Sequence, residues 1–135
     1  EAASGGELSR IMLAVKAGLA QHDEIPTLIF DEIDVGISGR TAQMVAEKMS
    51  YIGNTHQVIC ISHLAQIAAM ADAHYLIEKS SHKDHTSTDI RMLDTEESVN
   101  ELARILGGVE ITDSVRESAA EMKQMAEQVK SGLRA

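Results

Sequence analysis

Two adjacent carboxylates, Asp31 and Glu32, stand where an apolar run stops, inside TLIFDEIDVGIS at residues 27–38. Leu28, Ile29 and Phe30 are bulky and uninterrupted, which predicts a central strand of a parallel sheet covered on both faces. Ligands of open α/β sheets gather at the carboxyl ends of such strands. Successive side chains at a strand end point in different directions. One carboxylate can therefore hold a hydrated Mg²⁺ while its neighbour positions or deprotonates a water. A nucleotide hydrolase needs that division of labour, although a strand giving way to an acidic loop is also common, so the pair is decided by its company.

Two further groups supply that company. Ser4-Gly5-Gly6-Glu7 has the S-x-x-E form of a capping box, and Leu8, Met12, Val15 and Leu19 follow at three- and four-residue spacing, so a helix opens there. Its orphan N–H groups, dipole, hydroxyl and two glycines make an anion site, and a serine that caps an empty helix can equally face a phosphate. His63 follows directly on VICIS, a β-branched apolar run from Val58, where an imidazole can sense a ligand or simply be hydrogen-bonded in place. The expectation is that this helix mouth, Asp31, Glu32 and His63 share one rim of a single sheet.

The elements that must carry these groups are legible in order. After a polar turn at His22–Pro26 and the first strand, Gly36 and Gly39 loosen a loop leading to a helix over Arg40–Ile52, with Ala42, Val45, Met49 and Ile52 on one face. A second buried strand is expected at Gln57–Ile61, a helix at Leu64–Met70 and a strand at Ala73–Glu78. The order β-α-β-α-β predicts an α/β fold with a mostly parallel sheet. Lys79–Ser87 is polar and turn-like. His82 and His85 flank Asp84 at a spacing that could take a metal, but a solvated loop explains it as well and no zinc is assigned. Thr88, Ile90 and Met92 alternate with polar residues, as an edge strand pairing with Tyr75–Glu78 would. Val99, Leu102, Ala103 and Leu106 mark an amphipathic helix ended by Gly107-Gly108. Thr112 caps a long helix striped by Val115, Ala119, Met122, Ala126 and Val129, read as packing on its own domain rather than a coiled coil.

Composition bounds the rest. With 135 residues and 44% hydrophobic content the chain can build one core, so a single domain over residues 1–135 is expected. The formal net charge of −9 lacks the footprint of a DNA-binding surface, so any nucleic-acid contact is expected elsewhere in a larger protein. Cys60 is the only cysteine, which excludes a disulfide framework and suits a packing role. The absence of a signal peptide or long apolar stretch leads to a soluble, intracellular expectation with no membrane association. The opening EAASGGELSR, already inside a motif and without Met, reads as a fragment.

The order of these motifs resembles the C-terminal lobe of an ABC-type ATPase head, in the RecN family of SMC-related bacterial DNA repair ATPases. The matching stretches are ASGGELSR at residues 3–10, LIFDEIDVGISG at 28–39, ISHLAQIAAMAD at 61–72 and ELARILGG at 101–108, which together reach across nearly the whole chain. The resemblance implies that Ser4, Gly5, Gly6 and Glu7 form the signature motif, contacting ATP bound to an opposing subunit. Asp31 would be the Walker B aspartate supporting Mg²⁺, Glu32 the carboxylate orienting the attacking water, Val35, Gly36, Ile37 and Ser38 the D-loop, and His63 the switch histidine. It also implies ATP and Mg²⁺ as cofactors, an N-terminal Walker A lobe of the same protein as partner, a homodimer of ATP-sandwiched heads, and DNA engaged by the full-length protein. Recombinational repair of double-strand breaks, in a cytoplasmic and nucleoid-associated setting, is the implied function. The sequence departs from the family pattern at Ala3, where a leucine usually stands, and at Ser38, where an aspartate does. It also carries no G-x-x-x-x-G-K-[ST] loop, so the fragment alone is expected to be inactive. A transporter ATPase subunit and a non-catalytic dimerisation or docking lobe are the alternatives.

Overall fold

The computed structural model describes residues 4–19, 22, 24–82 and 85–134. Five helices and four strands follow one another as α1 (Gly5–Leu19), β1 (Thr27–Phe30), α2 (Gly39–Ile52), β2 (Gln57–Cys60), α3 (Ala65–Ala69), β3 (Tyr75–His82), β4 (His85–Met92), α4 (Thr95–Gly107) and α5 (Asp113–Arg134). The class is α/β as expected, but the sheet is smaller than the sequence predicts. β1 and β2 pair in parallel, with Leu28 opposite Val58 and Phe30 opposite Cys60. β3 and β4 form a separate antiparallel hairpin, with Tyr75 opposite Met92 and Ile77 opposite Ile90. The expected third parallel strand is thus the first arm of the hairpin. Residues taken for a polar turn extend the hairpin to His82 and His85, because alternating Ser and Thr tolerate an exposed ladder. Lys83 and Asp84, and with them the His-Asp-His spacing, lie outside the described residues.

The core gathers on α2, whose Ala42, Val45, Met49 and Ile52 are all buried, as the spacing predicts. Leu28, Phe30 and Ile33 approach from the β1 side, Ile67 and Met70 from α3, and Leu102, Ala103, Ala119 and Ala126 from α4 and α5. Both C-terminal helices begin on the side chains expected to start helices. Asp94 and Glu97 close a reciprocal capping box on α4, and the Thr112 hydroxyl accepts from the Val115 N–H at the start of α5. Gly108, at φ 64°, ends α4 with its N–H on the Arg104 carbonyl. The α5 stripe packs onto the domain itself.

Two expectations about coverage fail, and for one reason. β1 is not covered on both faces: Leu28 and Phe30 are buried, while Ile29 between them is 67% exposed. On α1 the buried position is Leu13, whereas Leu8, Met12, Val15 and Leu19 are all about half exposed. Apolar periodicity marks a face that wants covering, and here the chain supplies no layer for it.

The most deeply placed charge is Lys130, 2% exposed on α5. Its ammonium reaches Glu127 at 2.7 Å, with Asp72 and the Ala71 carbonyl each at 3.3 Å. Lys123, one face-turn earlier, donates to the carbonyls of Ala69 and Ala71. Two cations therefore close the carbonyl end of α3, where a helix dipole favours positive charge. Burial, aided by the Lys130 charge, holds the Lys123 amine below its ordinary value.

Beside this clamp, His74 makes a 2.8 Å hydrogen bond from Nδ1 to the buried Ser98 hydroxyl. Burial lowers its pKa below 6.5, against a smaller opposing pull from Glu101. The unfolded chain therefore takes up a proton that the folded one resists, so stability falls as pH drops below about 6.5. The urea midpoint is expected to be lower at pH 5.5 than at pH 7.5, and His74→Gln is expected to narrow that gap. An unchanged gap would remove His74 from the acid side of the stability profile.

Candidate nucleotide site at the strand ends

Ser4 opens α1 as its motif predicts: its N–H donates to the Glu7 carboxylate at 2.9 Å, and its hydroxyl accepts from the Glu7 N–H at 3.3 Å. Ser4 and Glu7 thus satisfy each other within the first turn. Ala3 lies outside the described residues. Of the two glycines, Gly6 is required by the chain itself, whereas at Gly5 only the movable end of the Glu32 side chain stands in the way. A Cβ on Gly5 would lie 2.8 Å from the Glu32 carboxylate, and one on Gly6 would lie 2.8 Å from the Glu32 carbonyl and 3.0 Å from that of Val35. The mouth of α1 is therefore pressed against the turn that follows β1.

Two side chains of α1 that the motif reading left without a role complete this joint. Ser9 donates to the Asp31 carbonyl at 3.1 Å. One guanidinium nitrogen of Arg10 donates to the carbonyls of Ile33 and Val35, at 3.0 and 2.8 Å. Ile33, fully buried, anchors the same turn from below. Glu32 sits at φ 57°, the one non-glycine residue with positive φ among the described residues, a conformation that costs an L-residue about 1 kcal/mol. Asp31 eases it by accepting the Glu32 N–H on its own carboxylate at 2.9 Å. Both carboxylates are exposed.

The end of β2 lies next to this turn because the Ile61 N–H continues the ladder onto the Phe30 carbonyl. Asp31, Glu32, Asp34, Val35, Ile61, Ser62 and His63 line a shallow open cleft there. The structure thus brings Asp31, Glu32 and His63 together and sets the α1 mouth beside them. Gly36, at φ 77°, turns the chain out of the cleft, and Val35, Ile37 and Ser38 lead to α2, whose first carbonyl contact is the Ala42 N–H on Ser38. Ser38 makes no side-chain cap. The carboxylates fit a hydrated Mg²⁺, which binds through one or two carboxylates and keeps the rest of its shell for water and phosphate oxygens. No lysine or arginine lines the cleft, and Arg10 is already engaged by carbonyls. A bare triphosphate would meet uncompensated negative charge.

Cys60 backs the cleft as an unreactive thiol, pushed up to about 12 by burial and by the charges of Asp34 and Asp31. This agrees with the packing role expected of it. The residue the motif reading passed over is Asp34, 3% exposed, which receives hydrogen bonds from Ser62 and from His63. The one available signal was its spacing, a second aspartate three residues after Asp31 in D-E-I-D.

No family model matches the chain. It is 48% identical over 128 residues to the DNA repair protein RecN of Halalkalibacterium halodurans, covering 95% of this chain and 23% of that one. The Bacillus subtilis protein of the same name is 46% identical over 129 residues, covering 96% and 22%. That of Treponema pallidum is 55% identical over 106 residues, covering 78% and 18%. The chain is a RecN homologue. It spans about a fifth of the length of these RecN relatives, so the comparison speaks for this stretch. Among the described residues no helix is long and apolar enough to cross a membrane.

Two substitutions test the joint. Gly6→Ala places a methyl against two backbone carbonyls that cannot move independently, and should destabilise the chain by about 1–3 kcal/mol in urea denaturation. Glu32→Gly should instead stabilise it, by about 1 kcal/mol, since glycine accepts positive φ without penalty. A neutral Gly6→Ala would show that α1 is not seated on the turn.

Proposed function

We propose that the chain is the C-terminal lobe of an ATPase head in a RecN-type DNA repair protein, acting in recombinational repair of double-strand breaks. The observation that carries this reading is the placement of Asp31, Glu32 and His63 on adjacent strand ends beside the α1 mouth, in a chain that aligns with proteins named for DNA repair. Phosphoryl transfer is mostly positioning and charge stabilisation, and these are the groups it uses.

In this reading Asp31 would hold Mg²⁺, whose charge would offset that developing on the phosphate in the transition state. Glu32 orients the attacking water. His63 contacts the γ-phosphate. Ser4, Gly5, Gly6 and Glu7 meet ATP held by an opposing head, and Val35, Gly36, Ile37 and Ser38 form the D-loop at that contact. DNA is engaged by the whole protein, in the bacterial cytoplasm and nucleoid.

The missing phosphate cradle belongs to an N-terminal Walker A lobe, and the bare apolar surfaces support its docking. Ile29, Ile59 and Ile61 project from one side of the parallel pair at 44–67% exposure. Leu8, Ile11, Met12 and Val15 do the same along α1. The acidic cleft favours the same division, because the cation that a triphosphate needs has to come from another lobe.

The isolated chain should neither bind ATP tightly nor hydrolyse it. Joined to the Walker A lobe it should do both and dimerise on ATP by light scattering. Glu32→Gln should lower kcat by about 100-fold or more while ATP binding persists. Undiminished hydrolysis in that variant would overturn the assignment, and dimerisation indifferent to ATP would favour a docking lobe.

A further inference from the structure

One oxygen of Asp34 is the meeting point of three donors. Oδ2 accepts the Ser62 hydroxyl at 2.6 Å and the His63 N–H at 3.0 Å, and it faces the His63 Nδ1 at 3.0 Å. The Ser62 oxygen in turn accepts the Leu64 N–H at 3.1 Å, so the same network sets the entry to α3. The contrast in burial is large: 3% of the Asp34 side chain is exposed and 75% of the His63 side chain. A solvent-facing imidazole is thus tethered at one edge to a fixed interior group.

We infer that Asp34 is the positioning residue for His63, a buried carboxylate that faces Nδ1, keeps the hydrogen on that nitrogen and leaves Nε2 as the edge presented to a ligand in the cleft. An ionised carboxylate only accepts hydrogen bonds, so a ring nitrogen 3.0 Å away must carry the hydrogen. That settles which of the two imidazole tautomers is held. Burial pushes the Asp34 carboxyl up, yet the hydrogen bonds from the Ser62 hydroxyl and the His63 N–H outweigh it, leaving the group below its ordinary value and ionised. The main-chain bond to the His63 N–H fixes the backbone under the ring, so Asp34 sets both where the imidazole stands and which way it faces. Without this tether an exposed ring would sample several rotamers, and the contact it makes in the transition state would be diluted.

Asp34 also joins the two strand ends. It leaves β1 in the same turn as Asp31 and Glu32, while its partners leave β2. Water-orienting and phosphate-sensing groups are thereby held in register by one side chain that touches neither reactant.

The kinetic part of the test rests on the ATPase reading, whereas the spectroscopic part does not. In the head assembled with its Walker A lobe, Asp34→Ala should lower kcat at least tenfold and leave the KM for ATP within about threefold. Asp34→Ala combined with His63→Ala should be no slower than His63→Ala alone, because both remove the same unit. Asp34→Asn, which keeps the volume and one acceptor, should recover part of the loss and serves where the alanine variant unfolds. Losses that multiply in the double variant would overturn the inference and leave Asp34 a structural residue. Nitrogen shifts of ¹⁵N-histidine in the same head should show His63 with hydrogen on Nδ1, and Asp34→Asn should weaken that preference. Hydrogen on Nε2 in the unsubstituted head would overturn it also. If His63→Ala leaves hydrolysis unchanged, the ATPase reading fails, and the tautomer alone decides the role of Asp34.

Discussion

Everything at the candidate site depends on how closely α1 lies on the turn after β1. The approach is closer than a methyl group allows at Gly6, and it is tied by Ser9 and Arg10 to three carbonyls of the turn. These carbonyls belong to a segment with no ladder partner, so their hydrogen bonds must come from side chains. Arg10 suits the task because its planar fork can serve two acceptors at once. With the turn immobilised, Glu32 can be kept in a conformation that the free peptide would avoid. The strain is small, and the surrounding contacts over-determine it.

The helices were readable in the sequence because their signals are local. The S-x-x-E box, the Thr112 cap, Gly108 and the α2 stripe each act within a few residues, and each appears where its chemistry puts it. Asp31, Glu32 and His63 were found for a similar reason: each ends an apolar run, and a strand end is a local event. Asp34 was not, because its importance arises from Ser62 and His63, nearly thirty residues away, and nothing in D-E-I-D says which aspartate turns inward. Sheet extent was overread for a related reason. The pairing of Tyr75–Glu78 with the strand through Thr88, Ile90 and Met92 was legible, but its separation from the parallel pair was not, because which strands share a sheet is a long-range choice that composition leaves open. The outward stripe of α1 shows the same limit, since periodicity reports that a face is apolar without saying what covers it.

The C-terminal half of the chain solves a different problem. α3 has only five residues, too few to be stable by itself, and its carbonyl end is buried against α5. Lys123 and Lys130 supply the donors that water would otherwise provide, with Glu127 and Asp72 balancing the charge. Only the lysine of these pairs is buried, Glu127 and Asp72 being more than half exposed, so replacing Lys130 would remove the donor to the Ala71 carbonyl, whereas losing one carboxylate would leave the other to balance its charge. Because α3 follows directly on His63, the lysine clamp reaches the cleft through a single short helix.

The two-stranded parallel sheet has a biological corollary. Parallel pairs this small rarely persist without cover, and this one leaves isoleucines and unpaired strand edges in water. An orphan copy of the lobe would show chaperones and proteases the sticky, open-edged surface by which they recognise incomplete proteins.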